Sequence, residues 1–322
     1  MKKSFLLLFS LLLALSLLLS GCDLSSILPS GGTGGTGDAG GAGGSFDGAT
    51  GSVGVSDTVD LGAYGTVPAY AGTPFVVIGD GIPKFTAEEL TTTSFERYAP
   101  LDSYGRCGVC VASIGIDLMP TEDRGDINNV TPTAWHSVKY DIVSGKYLYN
   151  RCHLIGFQLA GENDNARNLI TGTRELNIEG MLPFENMIAD YVKETENHVL
   201  YRVTPVFEGT NLLATGVLME GYSIEDEGEG VCFVVFAYNA QPGIALNYAD
   251  GTSALSGEEL PEAPTIEQGT TLYVLNTRSL RIHRPECSSV EDIAEHNKKE
   301  TYETYASLTG RGYKGCGSCK PE

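Results

Sequence analysis

Positive charge is scarce in this sequence. Lysine and arginine number 21 against 41 aspartates and glutamates, for a formal net charge of -20. A chain with that balance does not hold a polyanion by overall attraction, which argues against a high-affinity binder with a basic face. Its acidic residues are partly segregated, in Glu225-Asp226-Glu227-Gly228-Glu229 and Gly257-Glu258-Glu259-Leu260-Pro261-Glu262. Cysteine pairing is incomplete as well: Cys107 and Cys110 make a C-x₂-C, but no second pair beside them completes a metal site. A disulfide among Cys107, Cys110, Cys152 and Cys232 remains an open alternative, and Cys152 reads as a packed thiol rather than a nucleophile. From Asp23 to about Asp60 apolar periodicity is missing, and glycine, serine and threonine take its place, as in a flexible spacer.

What is present argues for folded structure. Hydrophobic residues make up 42% and tyrosines number 16, enough for a true core, and 322 residues accommodate two modest domains. A long apolar run from Phe5 to Leu19 follows Met1-Lys2-Lys3 and reads as a signal peptide rather than a domain helix. It ends Leu19-Ser20-Gly21-Cys22, which resembles the lipobox of bacterial lipoproteins and implies a lipid on Cys22. Two or more acyl chains anchor a protein stably. The expected location is therefore the extracellular face of the cell membrane. The alternative is an ordinary secretory signal with an incidental cysteine.

The expected organisation is a signal peptide at 1–21, a spacer at 22–60, a main domain at 61–252, a linker at 253–268 and a small unit at 269–322. In the main domain, strands are predicted at Pro74–Ile78, Val109–Ile114, Tyr147–Ile155, His198–Phe207, Leu212–Tyr222 and Val231–Tyr238. A helix-like start stands at Thr86-Ala87-Glu88-Glu89, and a helix is predicted from Gly180 to Thr195. In the latter, Met181, Phe184, Ile188, Tyr191 and Val192 share one face. The fold class is α+β with an antiparallel sheet. The small unit is predicted as a strand at Thr271–Leu275 and a helix near Val290–Thr304.

The chemistry concentrates in mid-chain. Asn150-Arg151-Cys152-His153 closes an apolar stretch, and Asn168, Asn177 and Glu185 follow at fixed offsets. A neutral imidazole with a pKa near ~6.5 can take a proton from water. An amide oxygen suits Mg²⁺, which retains waters and takes few protein ligands. Each residue alone reads as a cap, a turn or a solvated face; the joint spacing reads as a site. On a helix, Asn177 and Glu185 would lie about two turns apart on one face. Arg106, Arg151 and Arg174 are candidates for phosphate contact, with surface ion pairs as the bland alternative.

These motifs resemble the DNA/RNA non-specific endonucleases, the ββα-metal nucleases, and among them the exported nucleases of Gram-positive bacteria. The family signature Asp-Arg-Gly-His stands here as Asn150-Arg151-Cys152-His153. Asn197–Pro205 and Tyr238–Ile244 are similar to the core strands and closing segment of those members, and the likeness spans about residues 70 to 252. The resemblance implies a ββα-metal nuclease fold with a central antiparallel sheet. It implies His153 as general base, Asn177 as ligand of Mg²⁺ or Mn²⁺, Glu185 orienting metal-bound water, Asn168 shaping the site and Arg151 stabilising charge. The implied substrate is DNA, with RNA as a second, cut without sequence preference to leave 5′-phosphorylated ends. A non-catalytic surface protein that binds DNA for uptake or adhesion is the competing reading. A third makes the C-terminal unit the active module.

That unit carries His283, Cys287, Cys316 and Cys319, an H-x₃-C … C-x₂-C set suited to tetrahedral Zn²⁺. With Asn276-Thr277-Arg278-Ser279 before it and Gly312-Tyr313 after, the unit resembles the metal-binding module of the Ada DNA-repair protein, with His283 in the place of a first cysteine. A disulfide between two of the cysteines is the alternative.

Overall fold

The computed structural model describes residues 51–260, 267–276, 279–295, 298–310 and 313–321. Cys22, the signal segment and most of the expected spacer lie outside these residues. In chain order the main domain comprises β1 (Thr58–Asp60), β2 (Thr66–Pro68), β3 (Phe75–Val77), β4 (Phe95–Tyr98) and β5 (Cys110–Ile114). Then come β6 (Tyr149–His153), α1 (Phe157–Ala160), β7 (Leu169–Thr173) and α2 (Leu182–Thr195). The strands β8 (Val199–Val206), β9 (Gly216–Ser223), β10 (Cys232–Tyr238), β11 (Ile244–Leu246) and β12 (Ser253–Leu255) complete it.

An α+β architecture with a central antiparallel sheet results, its strands in the order β3-β10-β9-β8-β5-β4. Strand β10 explains how that sheet is buried. Its odd positions Phe233, Val235 and Ala237 join one apolar cluster, and its even positions Val234, Phe236 and Tyr238 join another. A strand covered on both faces reads as a continuous apolar run, as this one does. Helix α2 covers the first face. Phe184 from α2 sits between Phe75 and Phe233, with ring centroids 5.0 and 4.8 Å away. The β1–β2 hairpin covers the other face through Val59, Leu61 and Val67.

Strands β6 and β7 form a separate two-stranded arm, paired from Tyr149↔Thr173 to His153↔Leu169. A fully buried asparagine ties this arm to the main sheet. Asn239, just past β10, accepts from the Thr173 amide at 2.8 Å and donates to the carbonyls of Thr171 and Ala214, each at 3.0 Å. Thr173 in turn donates to the Ala240 carbonyl at 2.7 Å and accepts from the Leu176 amide at 3.1 Å. The arm's end and the start of the following helical segment are thus held by one short stretch of chain.

The C-terminal unit is a four-stranded sheet in the order β15-β13-β14-β16, from β13 (Gln268–Asn276), β14 (Arg281–His283), β15 (Lys298–Glu303) and β16 (Lys314–Gly315). Helix α3 (Tyr305–Gly310) completes it.

Four sequence expectations are corrected. The helix expected near Val290–Thr304 is strand β15, because Lys298–Glu303 pairs along β13 with its charged side chains mostly outward. The Thr86 start gives only a turn: Thr86 N donates to Glu89 Oε2 at 2.8 Å, but the Thr91-Thr92-Thr93 run that follows leads into a strand. The expected spacer is packed at its far end, where Val53 bridges Asn247 and Val59 is 1% exposed. Residues 253–255 form β12 against β11, not linker.

Candidate active site

The pleat of β6 divides its side chains. Cys152 points into the core, while Arg151 and His153 line a cavity of about 860 Å³. His153 is 6% exposed. Its Nε2 lies 2.7 Å from the Asn163 carbonyl, which can only accept, so the ring proton sits on Nε2 and Nδ1 is the acceptor that the Arg124 guanidinium faces. Arg124 Nη2 approaches Nδ1 at 3.3 Å. Burial pushes the imidazole pKa down to about 4, with the Arg124 charge acting the same way against the Asn163 hydrogen bond. The ring is therefore neutral at physiological pH. It is oriented by a main-chain carbonyl rather than by the residue at position 150.

The loop after His153 is set by Asn168. This side chain is fully buried, accepting from the Ile155 amide and donating to the Ile155 carbonyl, both at 2.9 Å. The next residue, Gly156, presents its N–H to Glu185. A Cβ there would stand 2.6 Å from Glu185 Oε2, so only glycine permits the approach. Glu185 occupies the first turn of α2 and is 8% exposed. Burial raises its pKa to about 7, opposed by the Gly156 N–H and the Arg124 charge. No ion pair among the described residues neutralises it.

Asn177 lines the same cavity. The straight helical offset expected between Asn177 and Glu185 is not found. Leu176–Met181 forms a wider π-type turn before α2, a feature that often marks functional positions. The Cys152 thiol lies 3.1 Å from Asn177 Oδ1 and 3.5 Å from Met181 Sδ. Burial drives that thiol's pKa far up, so it is a packed thiol. Cys107 and Cys110 are likewise buried and unbridged.

Of the arginines, Arg151 and Arg174 line the cavity and Arg106 does not. Arg106 is corrected as a phosphate candidate. Its guanidinium is taken up by Asp102 at 2.7 Å and by the carbonyls of Gly209 and Asn211 at 2.8 and 3.0 Å. Arg151 donates to the Val130 carbonyl at 2.5 Å and stacks on Trp135, 4.2 Å from the ring centre. Arg174 Nε is buried with no hydrogen-bond partner. Sequence reasoning missed Arg124, Gly156 and the Asn163 carbonyl. A glycine directly after the His153 strand was the one available signal; Arg124 lies in an aperiodic loop, and a carbonyl has no residue code.

In the C-terminal unit, one ligand atom from each of His283, Cys287, Cys316 and Cys319 lies within 4.8 Å of the others. His283 Nδ1 is buried with no partner, and the three thiols are free. Hydrogen bonding, first from the Cys319 backbone, lowers the Cys316 thiol to about 7. The donor set is a soft N/S tetrahedron.

Residues 88–224 match the DNA/RNA non-specific endonuclease family. A deoxyribonuclease of Streptococcus dysgalactiae subsp. equisimilis is 26% identical over 257 residues, covering 65% of this chain and 74% of that protein. NucA from Streptococcus agalactiae, solved with a magnesium ion bound, superposes with a TM-score of 0.50 at 22% identity, over 58% of this chain and 92% of that one. Its metal-free form superposes equally well, with a TM-score of 0.50 at 21% identity over the same shares. The likeness to these solved structures is one of fold, residues 88–224 carry the match to the DNA/RNA non-specific endonuclease family, and with the deoxyribonuclease relative they mark the protein as an enzyme that hydrolyses phosphodiesters.

Proposed function

We propose that the protein is a membrane-anchored, extracellular, Mg²⁺-dependent endonuclease that hydrolyses DNA, and RNA as a second substrate, without sequence preference. The observation that carries this reading is the His153 ring, fixed with a neutral Nδ1 toward a cavity that Asn177 and Glu185 also line. The donor set fits a hard divalent ion: Asn177 offers a neutral amide oxygen and Glu185 a buried carboxylate that forms no ion pair among the described residues. When bound, Mg²⁺ or Mn²⁺ supplies positive charge at the phosphate and at the leaving 3′ oxygen. Nδ1 of His153 accepts the proton of the attacking water. Its low basicity keeps it unprotonated at neutral pH, and an approaching phosphate strengthens it as the proton moves. The exposed Arg124, with Arg151 and Arg174, holds phosphate oxygens and stabilises charge in the transition state. Asn168 keeps the His153 loop in place, and contacts to phosphate carry no sequence information directly.

A soft-metal centre at His283, Cys287, Cys316 and Cys319 accompanies this reading, with Zn²⁺ as its ion. A small unit with a small core gains folding free energy from such a metal. The lipobox-like Leu19-Ser20-Gly21-Cys22 supports the membrane tether.

Plasmid incubated with the protein is expected to be nicked and degraded with Mg²⁺ or Mn²⁺ and to survive in chelator. His153→Ala should lower the rate by at least ~10² with an unchanged melting profile. A non-catalytic DNA binder would retain plasmid on a gel and never cut it, and a wild-type rate in His153→Ala would remove the base.

Glu185 gives a pH signature. Its folded pKa, about 7, exceeds the ordinary carboxylate value of 4.5, so the folded state binds the proton more tightly than the unfolded chain. Its stabilising contribution is full below pH 4.5 and declines as pH rises toward 7. Without divalent ion, Glu185→Gln should therefore be the more stable protein at pH 8, by up to about 3 kcal/mol, and match wild type near pH 4. Its nuclease activity should fall at the same time. Denaturant melts of both proteins at the two pH values read this out; an equal difference at both would refute the shift.

Zinc removal should unfold the C-terminal unit and leave the nuclease domain folded. One zinc per chain by elemental analysis and loss of one circular-dichroism transition on chelation are expected. A disulfide among Cys287, Cys316 and Cys319 in the purified protein would reverse this assignment. For the anchor, Cys22→Ser should move the protein from the membrane fraction into the medium. Wild-type protein wholly in the medium, without acyl mass on its N-terminal peptide, would count against lipidation.

A further inference from the structure

We propose that the cavity beside His153 continues outward as a base-stacking track, with Tyr147 as its platform, so that the enzyme favours nucleic acid with unpaired bases on one side of the scissile phosphate. This inference rests on the nuclease reading and names the substrate form that the same cavity accepts.

Tyr147, Tyr149, Arg151 and His153 occupy alternate positions and line one cavity. Tyr147 lies just before β6, beyond a bend at Leu148, so at ~3.3 Å per residue it stands at most about 20 Å from His153. Tyr149 is committed to structure: it is 4% exposed, and its hydroxyl donates to the Gly251 carbonyl at 2.9 Å. Tyr147 is not, being 48% exposed. Lys139, which bridges to Tyr147 across a short antiparallel contact, holds its Nζ 4.4 Å from the ring centre. A half-exposed aromatic ring with a cation against it, at the end of a substrate cavity, offers a surface on which a base can lie.

The groups between Tyr147 and His153 suit a sugar-phosphate backbone. Arg174 donates its backbone N–H to Leu148 at 2.8 Å, which sets it beside Tyr147 and Tyr149. Its Nε is buried with no hydrogen-bond partner, and its side chain lines the cavity. Arg151 is held by the Val130 carbonyl and by Trp135, which fixes its charge at the middle of the track.

The net charge of -20 gives the platform its purpose. Long-range attraction cannot hold a polyanion on this body, and salt weakens what remains. Stacking is a short-range contact between uncharged rings and does not depend on base identity. In a duplex both faces of each base are covered by its neighbours. Only a single strand, a loop or a melted end can present a base to Tyr147.

The test uses the chain's single tryptophan, Trp135, which lines the cavity against Arg151. Full-length protein carrying His153→Ala is titrated with a 12-nucleotide single strand, with the matching duplex, and with single strands in which an abasic site is moved along the sequence. Binding is read as a change in Trp135 fluorescence. Single strand is expected to bind about tenfold or more tightly than duplex, with one abasic position, several nucleotides from the cut site, losing most of that advantage. Tyr147→Ala should abolish the preference with duplex binding and melting temperature unchanged, and Tyr147→Phe should restore it. Equal affinity for both forms, no effect of abasic position, or an equal loss on both forms in Tyr147→Ala would overturn the platform. Cleavage by the wild-type enzyme without any base dependence would leave the nuclease reading standing and this inference false. Base-dependent binding by a protein that never cuts would do the reverse.

Discussion

The site depends on a few buried side-chain amides that carry main-chain hydrogen bonds between segments far apart in sequence. Asn239 joins the β6–β7 arm to the main sheet, and Asn168 sets the turn that follows His153. An amide can donate and accept at once, so it can replace the strand-to-strand pairing that an irregular junction lacks. From Asn168 the ordering passes through Ile155 to Gly156, and from the Gly156 N–H to Glu185. From Asn239 it passes through Thr171 and Thr173 to the start of the helical segment that carries Asn177. His153, Asn177 and Glu185 are therefore positioned by one connected set of bonds rather than by their own contacts alone.

Charge is distributed around that frame in an unusual way. The body is strongly acidic, yet Arg124, Arg151 and Arg174 line the cavity beside a single buried carboxylate. Burial lowers the proton affinity of His153 and raises that of Glu185. At pH 7 the imidazole is thus neutral and the carboxyl only about half ionised, which lowers the cost of burying charge in the cavity. The carboxylate becomes fully charged when a cation arrives to balance it. Metal binding and proton release are in this sense one event.

Much of this was legible in the sequence because the relevant signals are carried by side chains. The two-sided apolar run of β10 and the one-sided pattern of α2 gave the layers of the main domain. His153, Asn177 and Glu185, and likewise His283 with its three cysteines, were recognisable by residue chemistry and spacing, and the fold brings each set together. The misses share a physical origin. Arg106 looked available, but the carbonyls that take up its guanidinium belong to a distant turn around Gly209 and Asn211. The π-type turn at Leu176–Met181 alters helical register without any distinctive residue. Strand β15 has helix-compatible composition, and only its pairing with β13 decides its form.

One of those misses changes where sequence variation can matter. The orientation of the His153 imidazole is fixed by the carbonyl of Asn163, an atom that every residue type possesses. Replacing the Asn163 side chain leaves that acceptor in place, whereas moving the loop path by a fraction of an ångström displaces it. A survey by side-chain truncation would pass over position 163, and insertions or deletions between 156 and 168 would find it at once. Position 150 is relieved of the orienting role, so an amide there in place of an acid leaves the His153 tautomer unchanged.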